Sequence, residues 1–275
     1  RRSCSGGTTH GVPVPGRGPR CHRRGGLPGV VALRARLLVD ATAQGVRRLR
    51  VEPPLAAKVR SEADGTTTVV VVGSGASVLE GDELEIVLRV GPGARLAVRS
   101  VAAQLVHPCP AGGWGTLHLD AVLDDGAALC WAPEPIVVAG GGNLRARTTV
   151  ECADGASLSW TDELVLGRSG EDPDTIGLDT RISVDVGGRP LWRDGLSSAP
   201  GWTGPAVLGT ARYVGSRLVA GGSAADGVVG CAVPATPGPD PEPFDSGWLP
   251  LAGGGALRRV VATDPTAGRS ALGRR

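Results

Sequence analysis

Five carboxylates in this chain sit beside turns or strand ends, where a side chain can face a cavity: Asp82, Glu134, Asp162, Glu163 and Glu171. Paired carboxylates carry out general acid/base chemistry on a glycosidic bond, and β-helical folds often hold such pairs. Two of Glu134, Asp162 and Glu163 could therefore serve a carbohydrate-active enzyme. Sugar sites also need aromatic platforms, and only six Trp, one Tyr and one Phe are available. For any one of these acids, solvation at the surface is the commoner fate. Soft ligands are scarcer still. His107-Pro108-Cys109 is a compact pair, but two ligands on a turn do not make a site, and a strand-ending turn accounts for it. His118 alternates within residues 116–122 and reads as a strand-face residue. Cys4, His10, Cys21 and His22 could bind a metal only from an aperiodic tail.

Other chemistries lack their signatures. There is no G-x-S-x-G elbow, no glycine loop ahead of Lys58 (the only lysine), and no G-x-G-x-x-G opening a helix. No clustered Cys/His quartet supplies a closed zinc site. The net charge is +2 with 20% charged residues, so no long-range field points to nucleic acid or an anionic membrane. Six scattered cysteines without a C-x-x-C are expected to be free thiols in a reducing cytosol. No stretch approaches the roughly 20 apolar residues of a spanning helix, and no apolar signal core follows Arg1 and Arg2. A chain with no methionine is expected to start after its natural beginning.

The elements that must position those acids read as β. GAALCWAPE at 126–134 is echoed by GASLSWTDE at 155–163, so Trp131 and Trp160 each stand three residues before Glu134 and Glu163. Each copy follows an acidic turn (Asp124-Asp125, Asp154) and precedes an apolar run, at 136–138 and 164–166. A weaker copy begins at Gly93. One short unit cannot bury its own apolar face, so a repeat of about 30 residues implies stacked strands. Residues 31–39 alternate with period two, and further strands are expected at 46–51, 66–72, 79–90, 96–107, 144–152, 181–186, 189–192, 207–219 and 228–233. Residues 234–243 read as an extended proline-rich loop. Asp264-Pro265 is the one good helix start, a cap followed by proline at the first helical position. The fold class is all-β: many short strands in stacked, β-helix-like sheets, with at most one or two short helices. Residues 1–28 are expected to be a disordered or artefactual tail, and 29–275 a single β domain.

Three runs taken together, LEGDEL at 79–84, LCWAPE at 129–134 and WTDELVLGR at 160–168, resemble the urease accessory protein UreD (UreH) family in order and spacing. The likeness extends from about residue 30 to 264 and includes the Pro53-Pro54-Leu55 turn and the GGRPL hairpin at 187–191. It implies a non-enzymatic, cytoplasmic scaffold that binds urease apoprotein together with UreF-like and UreG-like (GTPase) accessory proteins. A homodimer within that complex is compatible with it. It also implies no tightly bound cofactor, but Ni²⁺ in transit along an internal tunnel. The family's tunnel acids carry over onto Asp82 and Asp162, with Glu163 and Glu171 nearby. Departures stand at Gln104 and His107, at Glu134 where glutamine is usual, and in a spacing one residue short before Glu171. Carboxylates suit a conduit, since His and Cys would hold borderline Ni²⁺ too tightly to release it. Such a passage must be wet, because an unpaired carboxylate is costly in a dry core.

Overall fold

The computed structural model describes residues 32–73, 78–221 and 247–274. The expected tail at 1–28, the strand at 228–233 and the loop at 234–243 lie outside the described residues.

Two sheets carry the fold. The first contains β1 (Arg34–Thr42), β2 (Gly45–Val51), β5 (Glu83–Val90), β8 (Gly115–Leu123), β11 (Asn143–Cys152), β13 (Gly177–Val186) and β14 (Arg189–Ser197). The second contains β3 (Leu55–Ser61), β4 (Thr67–Gly73), β6 (Arg95–Ser100), β9 (Ala128–Trp131), β12 (Ser157–Leu166), β15 (Tyr213–Ala220), β16 (Trp248–Pro250) and β17 (Ala256–Ala262). The short strands β7 (Gln104–Val106) and β10 (Ile136–Val138) join it alongside β12. Strand order is β14-β13-β11-β8-β5-β1-β2 in the first sheet and β16-β17-β15-β12-β9-β6-β4-β3 in the second. From β5 to β13 the chain winds between the sheets, so each lays down parallel neighbours in succession.

The sequence repeat is the rung of this winding. Leu129 pairs with Leu158 and Trp131 with Trp160 in the parallel β9–β12 ladder, and Leu96 and Val98 of β6 stack on Leu129 and Trp131. An in-register parallel ladder sets like side chains above one another. The Trp131 and Trp160 rings accordingly lie 5.2 Å apart, inclined by 18°. The acidic turns of the repeat also have a packing role. The Asp125 carboxylate fills the space a side chain at Gly155 would need, and Asp154 does the same at Gly187.

Inward positions of both sheets are apolar and fuse into one core, including Leu37, Leu88, Leu119, Leu144 and Leu178 from one side and Leu96, Leu129, Leu158, Trp160 and Leu218 from the other. Strands β3, β16 and β17 carry no clear alternation of their own and were not expected from the sequence. The expected strand at 96–107 is interrupted at 101–103, where the backbone bends before β7. The strand expected over 207–219 begins only at Tyr213, after a run of turns. The helix does form, as α1 (Pro265–Ala271), with the Asp264 side chain accepting the Ala267 N–H at 2.7 Å. Cys109 and Cys152 are free and buried, but Cys130 is disulfide-bonded, which corrects the expectation of free thiols throughout. Cys130 faces away from the main core, in a cluster with Ala97, Ala128 and Ala132, and strand spacing alone does not reveal what meets that face. Among the described residues no helix is long and apolar enough to cross a membrane.

Candidate functional site

Strand β12 holds the site. Its core-facing row runs Leu158, Trp160, Asp162, Leu164, Leu166, so an acid occupies a position that alternation reserves for a hydrocarbon. The neighbouring strands break pattern at the same level. Asp162 is in register with Ser216 of β15, which is in register with Arg259 of β17. From the opposite sheet, Thr148, Thr180 and Asp194 line the same space. The result is a polar inclusion around a cavity of about 110 Å³ between the sheets, large enough for several waters.

Arg259 compensates part of this charge. Its guanidinium pairs with the Asp194 carboxylate and donates to Ser216 Oγ at 2.8 Å. Among the described residues Asp162 has one well-formed partner, the Trp160 indole N–H, which donates to Oδ2 at 2.8 Å. Burial therefore dominates and pushes the Asp162 pKa up to about 6. The Trp160 hydrogen bond, the Arg259 charge and the nearby Trp131 N–H work the other way. The Trp131 N–H forms no hydrogen bond of its own with normal geometry. Asp162 is partly buried, with protein around it and its open side facing the cavity.

A second cavity, of about 170 Å³, lies towards β3, β4 and β7 and includes Asp82 and Gln104 in its wall. Leu117, Trp131, Pro133, Glu134 and Ile136 border both cavities, so the segment from Trp131 to Ile136 is the partition between them. Among the described residues Glu134 is the one acid lining both.

The four acids singled out by the resemblance do not converge. Asp82 is buried, and both its oxygens are occupied by backbone: Oδ1 accepts Leu33 N–H at 2.8 Å and Oδ2 accepts Leu79 N–H at 2.9 Å. It braces the turn in which Gly81 adopts φ +87°, a conformation that favours glycine. Glu163, adjacent to Asp162, projects from the other face of β12, as strand alternation requires. Its carboxylate accepts the Tyr213 hydroxyl at 2.9 Å and is clamped by Arg269 Nε at 3.1 Å and Arg274 Nε at 3.0 Å. Glu171 lies in the loop after β12. It accepts the N–H groups of Gly140 and Arg168 and forms a two-pronged pair with the Arg168 guanidinium. That guanidinium, followed by the two backbone donors, holds the Glu171 carboxyl down at about 2.

His107 and Cys109 end β7 in a tied turn: the Cys109 thiol points to the His107 carbonyl, and burial raises its pKa. His118 is exposed on the outer face of the first sheet. Among the described residues no three His, Cys, Asp or Glu side chains come together in a way that could hold a metal ion. Sequence reasoning missed Ser216, Arg259, Asp194, Thr148 and Thr180. A signal existed for Ser216, which interrupts the alternating row Val214, Leu218, Ala220. Asp194 and Arg259 had none, since they meet only when β14 and β17 are brought face to face.

Comparison with known proteins agrees with the resemblance in the sequence. Residues 29–274 match the family model described as UreD urease accessory protein. A urease accessory protein UreD of Streptomyces coelicolor is 34% identical over 247 residues, covering 86% of this chain and 92% of the relative. Urease accessory protein UreD 3 of Streptomyces griseus is 38% identical over 232 residues, with 82% and 86% covered. A UreD of Parafrankia sp. is 35% identical over 268 residues, with 88% and 86% covered. The matched span contains every strand that builds the two cavities, and the chain belongs to the UreD urease accessory protein family.

Proposed function

We propose that this protein is a non-catalytic scaffold for urease maturation, acting in the cytoplasm. On this reading it binds urease apoprotein, bridges it to UreF-like and UreG-like partners, and conducts Ni²⁺ between them as cargo. The observation that carries the reading is the polar inclusion at Asp162. An acid placed on the core face of a central strand, beside a cavity and with one hydrogen-bond donor, costs the fold stability. Such costs are characteristic of sites kept for function. A carboxylate with an open side in a wet cavity attracts a divalent cation and exchanges it quickly, as a conduit requires.

The route would run through the two cavities, past Asp82, Glu134 and Asp162, with Asp194 beside the last. Glu163 and Glu171 serve this reading as structural anchors, because arginines and backbone donors already occupy their oxygens. A carbohydrate-active enzyme finds less support. Asp162 and Glu163 face opposite sides of one strand and cannot act as a pair, and the stacked Trp131 and Trp160 are core rather than a platform in an open cleft.

Co-expression with urease and its accessory proteins tests the proposal. Asp162→Ala should lower the nickel content of urease several-fold while the complex still assembles. Failure of the purified chain to associate with urease apoprotein or with any accessory partner would overturn it.

A further inference from the structure

The partition between the two cavities is held from an unexpected place, the C-terminal end of the described chain. Arg274 donates from Nη2 to the carbonyl oxygens of Pro133 at 2.7 Å and Ala132 at 3.2 Å, while its Nε holds Glu163. Arg269, on α1, reaches the Glu134 carboxylate at 2.8 Å and Glu163 at 3.1 Å. The helix that delivers both arginines is seated closely. Leu272 is fully buried against Tyr213 and Val260, and a side chain at Gly268 would strike the Tyr213 ring at 2.3 Å. Pro133 and Pro135 supply no N–H groups of their own, so this segment has fewer backbone bonds than an ordinary strand. Between the ladder pairings of Trp131 and Ile136 at its two ends, the other backbone ties among the described residues are Ala132 N–H to the Val98 carbonyl and Glu134 N–H to Ser100 Oγ, with the Pro135 carbonyl accepting from Gln104 N–H.

We propose that Arg274 is a positioning residue for this partition. By gripping the Ala132 and Pro133 carbonyls it fixes the segment that divides the cavities, and with Arg269 it sets where the Glu134 carboxylate stands. Releasing Arg274 frees the segment to shift and lets the cavities communicate. The inference rests on the cargo reading only for its functional consequence, since the grip itself is a property of the fold.

Hydrogen–deuterium exchange on the full purified chain tests it with three variants. Arg274→Gln should speed exchange at the Ala132, Glu134 and Ile136 amides at least tenfold and leave β5 and β8 unchanged. Arg274→Lys keeps a charge near Glu163, but one ammonium cannot reach Glu163 and the two carbonyls together as Nε and Nη2 of the guanidinium do, so it should also speed exchange there. Arg269→Gln loosens the same helix without touching the backbone of the segment, and should leave those amides near wild type. Unchanged exchange in Arg274→Gln overturns the proposal, as does an equal rise in Arg269→Gln or a uniform rise across the sheet. If the segment responds as expected but nickel loading per assembled complex does not change in Arg274→Gln, the positioning role stands and the cargo reading falls.

Discussion

Replacing Asp162 by asparagine should make this protein more stable at neutral pH and less useful. In the fold the carboxyl titrates at about 6, against an ordinary aspartate value of 3.8 that the unfolded chain retains. The folded state therefore holds its proton more tightly, and unfolding between those values releases one. Stability rises as the pH falls from about 6 to about 4, and above pH 6 the fold bears the whole cost of the buried charge. At 1.36 kcal/mol per pKa unit, the gap corresponds to about 3 kcal/mol. Asparagine has nearly the same shape, and its side-chain carbonyl can still accept the Trp160 N–H at the 2.8 Å position. Urea denaturation of wild type and Asp162→Asn at pH 7.5, 6 and 4 measures this directly. The expected outcome is a variant more stable by about 1–3 kcal/mol at pH 7.5, with the advantage gone at pH 4. In the same preparation, urease matured with Asp162→Asn should carry less nickel, an exchange of stability for function. A variant less stable than wild type at pH 7.5, or a difference that does not depend on pH, would refute the argument that burial of this carboxylate opposes folding.

Trp160→Ala removes a fully buried ring and its stacking on Trp131, and should cost about 3–5 kcal/mol in urea unfolding. A loss below about 1 kcal/mol would mean the ladder of matched side chains does little for stability. Glu163→Ala removes the buried acceptor shared by Arg269, Arg274 and the Tyr213 hydroxyl. It should destabilise by about 3–5 kcal/mol, and an added Arg274→Met should recover part of that loss in a double-mutant cycle. Glu171 should titrate near 2 by carboxyl NMR and move upward in Arg168→Ala. Its contribution is present above pH 4.5 and lost as the pH falls towards 2, so an unshifted Glu171 would contradict the pairing.

The sequence was informative wherever physics is local. The 29-residue echo of Gly, Leu, Trp and Glu states a rung, and a rung in register is what Leu129–Leu158 and Trp131–Trp160 became, because a parallel ladder repeats its side chains without change. Asp264-Pro265 specified a helix start from the backbone chemistry of two residues. Alternation in β12 already separated Asp162 from Glu163 by face. What each face meets was not legible, since that depends on contacts between residues far apart in the chain. Arg274 lies 111 residues from Glu163 and 141 from Pro133, and Arg259 lies 65 from Asp194. Neither arginine carries any local mark of its partner. Only the winding of one sheet over the other decided that one acid would open onto a cavity while its neighbour would anchor the end of the described chain.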